Sequence, residues 1–396
     1  MVQKMRKMKD SGIEWIGEIP EGWETQKLKY YATVTSGEIL SKNEYDFSGD
    51  IPVIGSNGKI GTTYKSNNHS EVITTGRVGT IGTAQIVQDA WITDNALIIK
   101  SHSISRPFLT YVIPNFDFKF MLSGTAQPLI TATKLKNQYI PVPSSEAQDK
   151  LVQYLNTQIF NLSHLISQVC SSIELYKKLK QAIITQAVTK GVRGEREMKD
   201  SGVEWIGEIN HRFSLIKLKY ICSILDQYRK PISADKRSQS GSILYDYYGA
   251  SGAIDKIDDY TIDDHVMLIG EDGANLRMRN LPLMYEVNGK AWINNHAHIL
   301  KPTERVDFYY LFYALEGLDI NPYITGSAQP KLSQENLQNI WVPLPDFEEQ
   351  QEIATYIRSK CAEIDKLIAK KEQLVKELES YKKSLIYEVV TGKREG

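Results

Sequence analysis

The chain has 396 residues, 41% hydrophobic and 24% charged, and 47 Lys and Arg against 48 Asp and Glu leave a formal net charge of −1. That balance excludes a protein that grips nucleic acid through an overall basic excess, since phosphate neutralisation would then need a cationic body. Neither a signal-like apolar N-terminus nor a membrane-length apolar run is present, and Cys170, Cys222 and Cys361 stand singly, without disulfide or zinc spacing, so a soluble cytoplasmic chain of two or three domains is expected.

The first readable element is Met8-Lys9-Asp10-Ser11-Gly12-Ile13-Glu14-Trp15-Ile16-Gly17-Glu18-Ile19, which returns at Met198–Ile209 with one change in twelve positions, Ile13 to Val203. Lys27-Leu28-Lys29-Tyr30 recurs in phase as Lys217-Leu218-Lys219-Tyr220. The repeat unit of roughly 190 to 200 residues far exceeds a solenoid period, so each copy is domain-sized.

From Lys27 to Pro143 short β-branched runs such as Val72-Ile73-Thr74-Thr75 and Ala96-Leu97-Ile98-Ile99 alternate with Gly, Asn and Asp turns, which predicts a mixed, mostly β module. Gly76-Arg77-Val78-Gly79 and Gly124-Thr125-Ala126-Gln127-Pro128 punctuate it, and Ile140-Pro141-Val142-Pro143 ends it. Between Glu146 and about Ala187 there is no Pro or Gly, and Leu151, Leu155, Ile159, Leu162, Ile166, Val169, Ile173 and Tyr176 fall at steps of three and four. That spacing predicts one helix of about 40 residues and about 60 Å, with Ser145 as acceptor for its first-turn amides.

A linker carrying Lys190, Arg193, Arg196 and Lys199 leads into the second motif. The second copy follows the same order: Tyr248-Gly249-Ala250-Ser251-Gly252 answers Ile54–Gly58, Gly270-Glu271-Asp272-Gly273 answers Gly76–Gly79, Gly326-Ser327-Ala328-Gln329-Pro330 answers Gly124–Pro128, and Val342-Pro343-Leu344-Pro345 precedes a second helix from about Glu348 to Val390. Asp346 is its expected cap, and Lys371 interrupts its apolar seam. Two such helices are expected to pair as an antiparallel coiled coil. Because Val188-Thr189-Lys190-Gly191 leads into the second motif while Val390-Thr391-Gly392-Lys393 would lead back towards Met8, the termini are expected close together, in a closed two-fold arrangement.

The expected fold class is therefore α+β: two mixed, mostly β recognition modules separated by two long helices, as a pseudo-two-fold internal repeat. The expected domains are 1–143, a helical region with linker at 144–197, 198–345, and a second helical region at 346–396.

Catalytic motifs are absent from the text. Gly58-Lys59, Gly289-Lys290 and Gly392-Lys393 are followed by Ile60, Ala291 and Arg394, where a phosphate-binding P-loop needs Ser or Thr. Asn321-Pro322-Tyr323 lacks the second proline of an adenine methyltransferase loop and has no glycine-rich cofactor loop before it. His296-Ala297-His298 offers two imidazoles, yet no Cys or carboxylate cluster stands at supporting spacing, which favours a structural pair over a metal site. The Gly76–Gly82 stretch has the glycines of a phosphate cradle, but its counterpart carries Glu271 and Asp272, so a shared tight turn is the better reading.

The duplicated opening motif, the Gly-Arg-x-Gly and Gly-Glu-Asp-Gly turns, Gly-[Thr/Ser]-Ala-Gln-Pro, and Pro-[Val/Leu]-Pro before a long helix together resemble the specificity subunit of type I restriction-modification systems, over essentially the whole chain. The resemblance implies two target recognition domains, each reading half of a split double-stranded DNA site, with the helices setting the spacer. It implies no catalysis and no cofactor in this chain. S-adenosylmethionine, ATP and Mg2+ belong to its partners, which are two modification subunits and restriction subunits.

Within that frame the candidate DNA contacts are Lys59, Arg77, Gln127, Arg277, Arg279 and Gln329. Glutamine can meet an adenine edge bidentately, and arginine a guanine edge or a phosphate. The two glutamines occur in both modules, which suits a framework role better than the reading of different sequences. Basic clusters at Arg229-Lys230 and Lys236-Arg237 are expected to be solvated surface. The competing readings are a protein-binding scaffold without catalysis, which predicts no selective DNA binding, and an enzyme such as a nuclease, which predicts metal-dependent activity in isolation.

Overall fold

A computed structural model of the chain describes residues 6–46, 48–122, 129–194, 196–233, 237 and 243–395. It divides into two compact units, one of residues 1–170 with 373–396 and the other of residues 171–372.

In the first unit β1 (Met8–Asp10) and β2 (Glu18–Pro20) form a hairpin from the opening motif, and β3 (Glu24–Lys27) leads to β4 (Ala32–Ser36). Then follow β5 (Ile51–Gly55), β6 (Gly58–Thr63), β7 (Val72–Gly76), β8 (Ala84–Val87), β9 (Trp91–Ile92) and β10 (Ala96–Ser101). Their order is β4-β10-β7-β8 in one sheet and β6-β5-β9 in another. Helices α1 (Arg106–Val112) and α2 (Ala132–Lys136) precede β11 (Tyr139–Val142), which pairs with β3, and α3 (Ser145–Lys190) follows.

The second unit repeats this layout with β12 (Met198–Asp200), β13 (Glu208–Asn210), β14 (Ser214–Lys217), β15 (Cys222–Ile224), β16 (Tyr245–Gly249), β17 (Gly252–Ile257), β18 (Ile262–Gly270), α4 (Asn275–Met278), β19 (Met284–Ile293), β20 (Ala297–Pro302), α5 (Phe308–Gly317), α6 (Gln334–Gln338), β21 (Trp341–Leu344) and α7 (Phe347–Val390). Here one six-stranded sheet, β15-β20-β18-β19-β16-β17, replaces the two sheets of the first unit. The cause is local. β19 runs unbroken past both β18 and β16, whereas its counterpart is split into β8 and β9 by a turn in which Asp89 takes φ +47°, a left-handed conformation that ends strand pairing.

Each unit builds its core from its own sheet and from both long helices. In the first, Leu151 and Leu155 of α3 and Leu385, Val389 and Val390 of α7 join Ile73, Leu97, Phe108 and Leu109, all nearly solvent-free. In the second, Ile184, Ala187 and Val188 of α3 and Ile353, Ile357 and Cys361 of α7 pack on Met267, Ile269 and Leu311. A buried Leu or Ile side chain contributes about 1.5–3 kcal/mol, so the helices are structural parts of both cores. Within the second unit the helices run antiparallel: Lys180 pairs with Asp365 at 2.8 Å, and Tyr176, further back on α3, receives the Nζ of Lys371, further on along α7, 5.6 Å from its ring centroid. The seam defect at Lys371 is thus covered by a cation–π contact.

The punctuation before each helix is more elaborate than the motif suggests. Ser144, one residue before the expected cap, receives the Ala147 amide at 3.3 Å, because the helix starts at Ser145 itself; Asp346 receives the Glu349 amide at 2.8 Å as expected. Beyond the caps, Gln148 donates to the Pro143 carbonyl and accepts from the Ser105 amide at the head of α1. Gln350 repeats both bonds with Pro345 and Asp307 at the head of α5. Both glutamines are buried, which is tolerable only because their amides are satisfied.

The chain's far end meets its opening motif within the first unit. Lys393 Nζ donates to the Ile16 carbonyl at 2.8 Å, and Gly392, at φ +74°, sits where a Cβ would lie 2.4 Å from Pro20. The second unit shows the matching junction: Asn210 donates to the Lys190 carbonyl that ends α3. Among the described residues no helix is long and apolar enough to cross a membrane.

Candidate nucleic-acid interface

In each unit the central strands end in a glycine that brings two turns together. A Cβ on Gly76 would lie 1.7 Å from the Thr80 carbonyl oxygen and 2.6 Å from that of Ser56, and one on Gly270 would lie 2.8 Å from that of Ala250. Only glycine lets the strand-end turn press against the tip of the β5–β6 or β16–β17 hairpin. The end of each module is therefore a cluster of loops over a rigid sheet, the arrangement in which binding residues vary while the scaffold stays fixed.

Lys59 and Arg77 both belong to this cluster in the first module. Lys59 is exposed on β6, opposite Ile54 across a bulge. Arg77 follows β7; its backbone ties to Asn95 and Ile130, and its guanidinium donates to the Asp94 carbonyl at 3.2 Å. Its Nε has no acceptor among the described residues. Gln127 lies outside the described residues.

The second module ties Arg277 to the loop that carries Gln329. Arg277, exposed on α4, donates to the Ile324 carbonyl at 3.1 Å, at the foot of the loop in which Gln329 is exposed. The same loop is pinned to the acidic turn by Gly273 N to Pro330 O at 3.1 Å and Leu332 N to Glu271 O at 2.7 Å. Arg279 points elsewhere: its guanidinium donates to the Glu316 and Leu318 carbonyls at 2.9 and 2.6 Å, closing the last turn of α5. Burial lowers its pKa from the ordinary arginine value, against the nearby Glu316 and Asp319.

The acidic turn is neutralised from below, a feature the sequence did not disclose. Glu271 binds Arg229, and Lys331 at 3.1 Å; Arg229 also binds Asp226 at 3.1 Å. Burial pushes the Glu271 carboxyl up, and the bonds from Arg229 and Lys331 with the adjacent His298 outweigh it, leaving its pKa below the usual value. A carboxylate so paired no longer repels an anion as a bare one would. The other basic clusters are also engaged rather than simply solvated: Arg237 pairs with Asp255 and lies 4.2 Å over the Tyr247 ring, Arg196 pairs with the buried Glu349, and Arg193 with Glu352. Lys236 lies outside the described residues. His296 and His298 face different partners, Asp272 and Asp226, and among the described residues no group of three or more metal-ligating side chains gathers.

A repeated scaffold with unlike side chains on equivalent loops defines a duplicated recognition protein. The family model for the type I restriction modification DNA specificity domain matches residues 20–175 and again 211–378. The chain belongs to this family, that of the non-catalytic, DNA-specificity subunits of type I restriction-modification systems. It is 26% identical over 421 aligned positions to a Methanocaldococcus jannaschii protein named as the type I restriction enzyme MjaX specificity subunit, covering 96% of this chain and 95% of that one. A Haemophilus influenzae protein named as a type I restriction enzyme specificity subunit is 31% identical over 168 residues, 42% of this chain and 40% of that protein's length. Among solved structures, a chain from work on complex assembly and conformational transition of the type I R-M system aligns at TM-score 0.69 with 15% identity, over 95% of this chain and 99% of that one. The last likeness is one of fold.

Proposed function

We propose that each module reads one half of an asymmetric bipartite site in double-stranded DNA through its loop cluster, and that α3 and α7 set the spacer between the halves and dock two modification subunits. Restriction subunits complete the assembly, in the cytoplasm. Methyl transfer from S-adenosylmethionine and ATP- and Mg2+-dependent cleavage belong to those partners, and this chain selects the site.

The observation that carries the reading is the equivalence of unlike loops. Lys59 and Arg77 in one module stand where Ala253 and Glu271 stand in the other, and Arg277, bonded to the Ile324 carbonyl, supplies a cation to the second module's polar edge. One scaffold thus presents two donor and acceptor patterns, as two half-sites require. Lys59, Arg77, Arg277 and Gln329 are assigned to this face, whereas Arg279 is assigned to holding α5. Near-neutral net charge is compatible with DNA binding when partner subunits supply phosphate contacts. The test is to delete the chain and map adenine methylation across the genome: one split motif should vanish, and an unchanged methylome would overturn the reading.

A further inference from the structure

His298 occupies the second position of β20 and is 1% exposed. Its Nδ1 lies 2.6 Å from Asp226 Oδ2 and its Nε2 lies 2.8 Å from the Leu332 carbonyl oxygen. Both neighbours are acceptors only, so both ring nitrogens must carry protons for both bonds to exist. A neutral ring would set a lone pair against a carboxylate or a carbonyl, in a place water does not reach.

The two bonds join the parts of the second module's loop cluster. Asp226 also accepts from the Ile299 amide and binds Arg229. Leu332 ends the loop carrying Gln329 and donates its own amide to the Glu271 carbonyl. The Glu271 carboxylate stands 4.0 Å from Nε2, held by Arg229 and Lys331, and the neighbouring His296–Asp272 pair lies on the outer side of the turn. In the first module the equivalent residue is Leu97. It faces Thr75 as His298 faces Ile269, one step from the matching pairs Gly76–Ala96 and Gly270–Ala297. Leu97 is fully buried in apolar surroundings and has no proton to lose.

We infer that His298, as an imidazolium, is a positioning residue that sets the recognition loops of the second module, making that module's selectivity proton-linked while the first module's is not. The inference rests on the proposed function. Loss of the proton as pH rises breaks the bond to Asp226 or to Leu332 and frees the loop bearing Gln329 from its anchor.

The test uses the chain assembled with its modification subunits, titrated with DNA altered in one half-site at a time, at stepped pH from about 5 to about 8, the interval in which an ordinary imidazole changes charge. Discrimination at one half-site should fall by at least about tenfold over that range, the low end for a hydrogen bond to a charged group, and at the other it should stay constant. His298→Leu, which copies the first module, should show the reduced discrimination at every pH. Wild-type discrimination and pH profile in His298→Leu, or equal pH dependence at both half-sites, would overturn the inference. Nitrogen-15 spectra of the wild-type imidazole give a second readout that does not depend on the variant folding: two protonated ring nitrogens at low pH, with deprotonation tracking the loss of selectivity, are expected. A neutral ring throughout, with half-site selectivity intact, overturns this inference alone. A protonated ring in an assembly without half-site selectivity overturns the function reading beneath it.

Discussion

Replacing Arg279 by alanine should destabilise α5 of the second module without altering which DNA sequence is chosen. The side chain makes two charge-assisted bonds, to the Glu316 and Leu318 carbonyls, and each such bond is worth about 1.5–3 kcal/mol before the cost of burying the guanidinium. It also places positive charge at the negative end of a helix. The buried Glu316 carboxylate, raised in pKa by its burial although the Met284 and Leu283 amides and Arg279 oppose that, would lose one of the cations that favour its charge. A net loss of about 2–4 kcal/mol is expected, most of the summed bonds less the recovered desolvation. Arg279 has φ +48°, so Arg279→Gly should be milder than Arg279→Ala by about 1 kcal/mol, the strain a Cβ adds in the left-handed region. Hydrogen exchange of the α5 amides measures both variants in the intact chain. Unchanged protection in α5 together with weakened DNA binding would refute the reasoning and return Arg279 to the DNA face.

Arg277→Ala distinguishes two kinds of contact: a base contact predicts relaxed specificity at one position at a cost of about 1–3 kcal/mol, and a phosphate contact predicts uniform weakening with a salt slope smaller by about one; no change in either would remove it from the interface. Burial pushes the Cys222 thiol up to about 12 and the Cys361 thiol to about 11, while Cys170 is exposed. At mildly alkaline pH alkylation should therefore label Cys170 alone in the folded chain, and fast labelling of Cys222 would contradict its burial. Since the unfolded thiols ionise first, near their ordinary value, stability of the second unit should decline as pH rises through about 9 towards the folded values, as urea unfolding at stepped pH would report. Four residues inserted after Ser172 add about 6 Å of helix, close to two base-pair steps of about 3.4 Å, so the methylated motif should gain one or two spacer positions with both halves unchanged; an unaltered spacer at full activity would show that the helices do not set it.

The repeat and the long helices were legible because identity at fixed offset and three-and-four spacing are properties of the chain itself. Leu151, Leu155, Ile353 and Ile357 were on the predicted apolar stripes and do enter the cores. What escaped depends on contacts distant in sequence. His298 and Asp226 are 72 residues apart, and neither residue type announces a partner; the doublet with His296 drew attention to metal chemistry instead. Gln148 and Gln350 look like surface helix residues until the loops before α1 and α5 fold onto them. The cap at Ser144 was displaced by one residue because adjacent serines compete for the role. Arg277 and Arg279, two positions apart on one polar stretch, were indistinguishable until the left-handed residue at Arg279 sent its side chain inward.

Exchange of one module tests the central claim most directly. Residues 210–345 are replaced by the corresponding module of a relative, the hybrid is produced with its modification subunits, and the methylated motif is mapped. Two independent readers on one frame predict that one half of the motif changes to the donor's half while the other half stays as it was. A motif altered in both halves, or in neither by an active hybrid, would contradict the account.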